Sequence, residues 1–118
     1  MRLLPGTCIK TSGNMYYYVK SGKDGLTLHH MTQRVFESWN FPNVFKLPDD
    51  GLLNGCVTGV ALGFRDGTVI GNIMNGKKYI ISDRKRMEID DIKSLPFRTK
   101  IIWASQNEVN LHKDGGKY

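Results

Sequence analysis

The chain has no apolar run approaching the ~20 residues that a membrane-spanning helix needs. Its opening, Met1-Arg2-Leu3-Leu4-Pro5-Gly6-Thr7, lacks the apolar core and small-residue cleavage site of a secretory signal. The expectation is a protein with no membrane segment and no export sequence. Only two cysteines are present, Cys8 and Cys56, which suits a reducing compartment; whether they are bridged stays open, since sequence does not place their Cα atoms within bridging distance. No Gly-x-x-x-x-Gly-Lys-Ser/Thr loop occurs, and the glycines of residues 55–63 lack the order of a dinucleotide fingerprint. His29, His30 and His112 stand at no spacing that would pair them with each other or with a cysteine on a metal. Asp49-Asp50 and Asp90-Asp91 are sequence neighbours, which seldom face one reacting atom; they read as a turn and a helix surface. Cys8 reads as an inert core thiol, and nothing near Cys56 in sequence would activate it. No catalytic, metal or cofactor residue is assigned, and the expectation is a protein that is not an enzyme and carries no cofactor.

What the chain does have is glycine, aromatic residues and positive charge. Its 118 residues, 40% of them hydrophobic and 13 of them glycine, suit one compact domain. The net charge of +6 is uneven, with 6 basic and 4 acidic residues in 1–62 against 11 and 7 in 63–118. Lys77, Lys78, Arg84, Lys85 and Arg86 form the candidate basic face, suited to phosphate or to another anionic partner.

The Gly-Thr of Leu4-Pro5-Gly6-Thr7-Cys8-Ile9 returns in Arg65-Asp66-Gly67-Thr68-Val69-Ile70. After the first copy, residues 15–30 read as a hairpin turning at 21–25; after the second, Asn75-Gly76 is a strong hairpin signal. A helix is expected over 32–39, with Thr32 as cap and Val35, Phe36 and Trp39 on one face. A second is expected from Ser82 or Asp83 to Pro96, with Met87, Ile89, Ile92 and Leu95 as its apolar positions, so that Phe36 and Trp39 match Ile89 and Ile92. Aligning Gly59 with Gly115 sets Leu47 over Trp103, Asp49 over Ser105, Leu53 over Val109 and Cys56 over His112. The expected organisation is repeat 1 (4–62) and repeat 2 (63–116) within one domain. The fold class is α+β: two tandem repeats, each of antiparallel strands and a short helix, packed with pseudo-twofold symmetry. Residues 59–64 are expected as a strand or tight crossover at the junction, and residues 112–118 as a frayed end.

These segments resemble a loosely characterised repeat of bacterial secreted or cell-surface proteins and phage tail-associated proteins. That repeat runs Arg-Asp-Gly-Thr, a Gly-Ser-Gly loop, a tyrosine-containing hairpin with Asn-Gly-Lys-Lys, a Phe-x-x-Trp-Gly-Phe helix end and an Asp-x-x-Leu tail. Here Phe36, Trp39 and Phe41 fit the helix end, with Asn40 where glycine is usual, and the second copy lacks the Phe-Trp pair. The resemblance implies a non-catalytic module. For a chain of two copies without an export signal it implies a phage structural protein, assembled in the host cytoplasm and bound to other virion proteins or to itself.

Tyr16, Tyr17 and Tyr18 must split across two faces if they form a strand, Tyr17 opposite the other two. With Lys20 beside them, and Lys10, they are the candidate residues for a partner protein or a sugar ring. Trp39 and Trp103 are assigned to the core. The readings carried forward are a structural or adaptor protein of a phage particle, a module for cell-wall or surface polysaccharide, and a nucleic-acid-binding protein using the basic face.

Overall fold

The computed structural model describes residues 3–23 and 25–118, so Asp24 of the expected 21–25 turn and the first two residues of the opening lie outside the described residues. The chain divides into two units, residues 1–62 and 63–118, and each is built on a five-stranded sheet. No helix among the described residues is long and apolar enough to cross a membrane.

The first unit contains β1 (Cys8–Lys10), β2 (Tyr16–Gly22), β3 (Gly25–Met31), α1 (Gln33–Trp39), β4 (Val44–Lys46), a 3₁₀ turn (Asp50–Leu53) and β5 (Val57–Thr58). Its sheet order is β4-β1-β2-β3-β5. The central pairs are antiparallel and the two outer pairs parallel. One face, carrying Ile9, Val19 and Leu28, packs with Leu3 and Leu47 into a core that the 3₁₀ turn covers through Leu52 and Leu53. Ile9 and Val19 are fully buried, each contributing roughly 1.5–3 kcal/mol of transfer free energy. The expected first helix forms. The Thr32 hydroxyl accepts the Val35 N–H, and Asn40, left-handed at φ 50°, ends it.

The second unit contains β6 (Val69–Asn72), β7 (Lys78–Ser82), β8 (Lys85–Ile89), a 3₁₀ turn (Ile92–Ser94), β9 (Ile101–Ala104), α2 (Gln106–Val109) and β10 (Lys113–Lys117). Its order, read from the other end, is β9-β6-β7-β8-β10. Again the central pairs are antiparallel and the outer pairs parallel. The connectivity is that of the first unit strand for strand. Gly6 and Gly67 sit at φ 85° and 90°. Their N–H groups donate to Val19 O and Ile81 O, each at 2.7 Å, while the following threonine carbonyls accept from Val19 and Ile81. The recurring Gly-Thr is thus one turn used twice, left-handed where only glycine is unstrained.

The second unit corrects four expectations. Residues 82–96 are not a helix: Met87 and Ile89 alternate along β8 and pack with Val69, Ile80 and Leu95, leaving one 3₁₀ turn after it. The β7–β8 connection is Asp83-Arg84, both left-handed at φ 51° and 63°, the backbone of a type I′ turn without its usual glycine. The Asn75-Gly76 hairpin therefore matches β1–β2, not β2–β3, and by strand register Ile89 matches Met31, not Phe36. Trp103, expected in the core, is 44% exposed, because it lies on the outer strand of the sheet. Residues 113–117, expected to be frayed, pair with β8 as β10.

The tail alignment holds where it concerns the short helical turns. Asp49 and Ser105 cap them, and Cys56 and His112 donate their N–H groups to Leu53 O and Val109 O. It slips by one residue at the strand: register places Leu47 over Ala104, and Lys46 over Trp103. Residues 59–62 form no regular strand; they run beside β3, with Gly59 N–H donating to Leu28 O and Leu62 N–H to His30 O.

Candidate functional site

In β2 the pleat sends Tyr16, Tyr18 and Lys20 to one face and Tyr17 to the other. Lys10 of β1 lies across from Tyr16, and Met31 and His29 of β3 flank Tyr16 and Tyr18 on the far side. Tyr17 packs on the core and meets His30 edge-on at 5.6 Å. The structure therefore brings together three of the four predicted partner-binding residues and places Tyr17 on the other face.

Helix α1 and the Asn40 turn lay further rings on that face. Tyr16 stacks on Phe36 at 4.1 Å, and Phe41 lies 6.1 Å from Phe36, 5.7 Å from Tyr18 and 6.1 Å from Trp39. Neighbouring planes are inclined by only 15° to 27°. All five rings keep partial exposure. The ammonium of Lys10 stands 5.7 Å from the Tyr16 centroid and that of Lys20 5.8 Å from Tyr18. The result is a layered aromatic surface with a cation at either side, able to desolvate an apolar or aromatic group and hold an acidic one beside it. Phe36 and Trp39 were not legible as members, because their helical spacing reads equally as core. The signal was Phe41, an aromatic just past a left-handed helix end and so turned back toward the sheet.

The five predicted basic residues do not make one face. Lys77 lies 3.7 Å from Glu88, and Lys78 reaches over the Trp103 ring at 5.7 Å. Arg84 occupies the β7–β8 turn, its backbone N–H donating to the Asp66 carboxylate. Lys85 pairs with Ser82 at the far end of the hairpin from Lys78, ~13 Å away by strand rise. Arg86 projects from the opposite face, stands 5.9 Å from the Tyr79 ring and donates to the carbonyls of Val109 and His112. It is a clamp on the α2 turn, and β8 being a strand is what divides it from Lys85.

Among the buried titratable groups, Cys8 and His112 are shifted by their surroundings. Burial pushes the Cys8 thiol up to about 11, and both cysteines are free. His112 is 3% exposed; its Nδ1 donates to Arg84 O at 2.6 Å and its Nε2 accepts the Phe64 N–H at 2.8 Å. These partners fix the neutral tautomer, and burial holds its pKa below the usual histidine value against the opposing pull of the Arg84 carbonyl and Asp66. Cys56, half-buried, lines an open apolar cleft of about 510 Å³ with Leu3, Leu26 and Leu52. Among the described residues no three of His, Cys, Asp and Glu gather as metal ligands.

Comparison with family models, with curated proteins and with solved structures finds no match to this chain.

Proposed function

We propose that the chain is a non-catalytic structural or adaptor protein of a phage particle, tail- or capsid-associated, that works through protein–protein contacts. The observation that carries this reading is the layered surface of Tyr16, Phe36, Phe41, Tyr18 and Trp39 between Lys10 and Lys20. Large, rigid rings of partial exposure are what interface centres are made of. The duplicated connectivity and the resemblance of the Gly-Thr and Phe-x-x-Trp segments to repeats of phage tail-associated proteins support the virion setting. Assembly in the host cytoplasm, with other virion proteins or further copies of this chain as partners, belongs to the same reading.

Absolute mass across a concentration series, by light scattering behind size exclusion, tests the proposal. A discrete oligomer is expected, dissociating at least tenfold more readily in Tyr18→Ser or Phe41→Ser. A monomer at every concentration that also fails to co-purify with a particle on expression during infection would overturn it.

A further inference from the structure

The second unit carries an exposed indole with its own seat. Trp103 of β9, Gly71 of β6 and Lys78 of β7 stand side by side in one row across three strands. A Cβ at Gly71 would come within 2.5 Å of Trp103 Cε3 and Cζ3, so the missing side chain is what lets the benzo half of the indole lie down on the sheet. Glycine inside a strand marks such close approaches. Nearly half of the Trp103 surface nevertheless stays open. The Lys78 ammonium stands 5.7 Å from the ring, and the turn that follows β6 exposes two further apolar side chains, Ile73 and Met74, the Ile73 N–H donating to Ala104 O beside Trp103. The corresponding row of the first unit is Lys46, Lys10 and Tyr16. Lysine and aromatic have exchanged strands while the lysine–ring pair is kept.

We propose that Trp103 and Lys78 form a binding site for an acidic polysaccharide, one pyranose ring stacking on the indole and its carboxylate meeting the Lys78 ammonium. The proposal is independent of the aromatic surface in the first unit. An indole offers the apolar face that the C–H side of a sugar ring covers, and the ammonium supplies the charge complement. The site is a row of side chains across three strands with the indole 44% exposed, which suits a polymer laid across it better than a free small molecule. Nucleic acid fits less well, because a phosphate backbone needs a track of cations. Here Lys85 lies at the other end of the hairpin, Arg86 is spent on carbonyls, and Lys77 faces Glu88.

The test uses the full chain in a Trp39→Phe background, so that Trp103 is the sole indole, titrated with polygalacturonate at low and moderate salt. Expected are a change in indole emission, weaker binding with added salt, and no response to neutral dextran. Trp103→Ala should weaken binding at least tenfold, measured by retardation in an affinity gel, whereas Trp103→Tyr should keep most of it. Lys78→Gln should weaken it about threefold and flatten the salt dependence. Circular dichroism checks that each variant is folded. Absence of binding at millimolar galacturonate, binding indifferent to Trp103→Ala in a folded variant, or tighter Trp103-dependent binding of a single-stranded oligonucleotide would each overturn the assignment.

Discussion

His112 is the residue on which the second unit's response to acid turns. Its ring joins Arg84 O to the Phe64 N–H, and a second proton would set an N–H against an N–H. Its folded pKa is depressed, first by burial and further by the Arg86 charge. Between that value and the unfolded value of 6.5 the unfolded chain binds a proton that the folded chain does not, so stability rises with pH there. The contribution is complete above 6.5 and is lost as pH falls through the folded pKa. Urea midpoints measured from pH 8 to pH 5 should therefore drop below 6.5 in the native chain, with a shallower drop in His112→Gln, which starts from lower stability. The cysteines make a second residue-scale prediction. With its thiol raised to about 11 and buried, Cys8 should resist a thiol reagent at pH 8 while half-buried Cys56 reacts, giving one titratable thiol in the folded chain and two in denaturant.

At the scale of elements, each short helix depends on one or two polar atoms. Thr32→Ala removes the acceptor for the Val35 N–H and should cost about 1 kcal/mol in denaturant unfolding. The buried Asn72 side chain accepts the Met74 N–H and donates to Gln106; Asn72→Ala should cost about 1–3 kcal/mol by leaving that turn amide unpaired. Gly71→Ala should cost a similar ~1–3 kcal/mol, because the indole must leave its seat.

Which elements were legible in the sequence follows the same local chemistry. Helix α1 was, because threonine, the Val35-Phe36-Trp39 spacing and Asn40 all agree. The β6–β7 hairpin was, because Asn75-Gly76 is unambiguous. Strand β8 was not: its turn spends two non-glycine residues in left-handed conformation, and Met87, Ile89, Ile92 and Leu95 satisfy a helical spacing while two of them serve a strand and two the segment after it. Two of the five rings, Tyr16 and Tyr18, were readable from the alternation along β2. Phe41 was not, since its place depends on how the chain turns back after Asn40; the exposure of Trp103 was not, since it depends on which strand stands at the sheet's outer position and what the neighbouring strand leaves vacant.

Across the whole molecule, one connectivity serves two surfaces of different chemistry. Tyr16 and Tyr18 of the first unit have Lys78 and Ile80 as their counterparts by register, so those two positions of the second unit carry no rings. Each unit holds one tryptophan, Trp39 in the first and Trp103 in the second, a natural pair of reporters. Paired Trp39→Phe and Trp103→Phe variants should therefore separate the two proposed activities. Polysaccharide should perturb emission only where Trp103 remains, and self-association only where Trp39 remains.

The parallel outer pairs carry a kinetic consequence. In each unit the three central strands are joined by short turns and close through local contacts, whereas β4 and β5, or β9 and β10, reach their partners only after the chain has passed through intervening turns. Loop closure makes such pairings later and slower. During synthesis the β1–β2–β3 and β6–β7–β8 meanders can be in place before their flanks exist. Strand β9, which carries Trp103, is then among the last pieces laid down, and a chain interrupted before residue 101 would bear the aromatic surface of its first unit and no seat filled at Gly71.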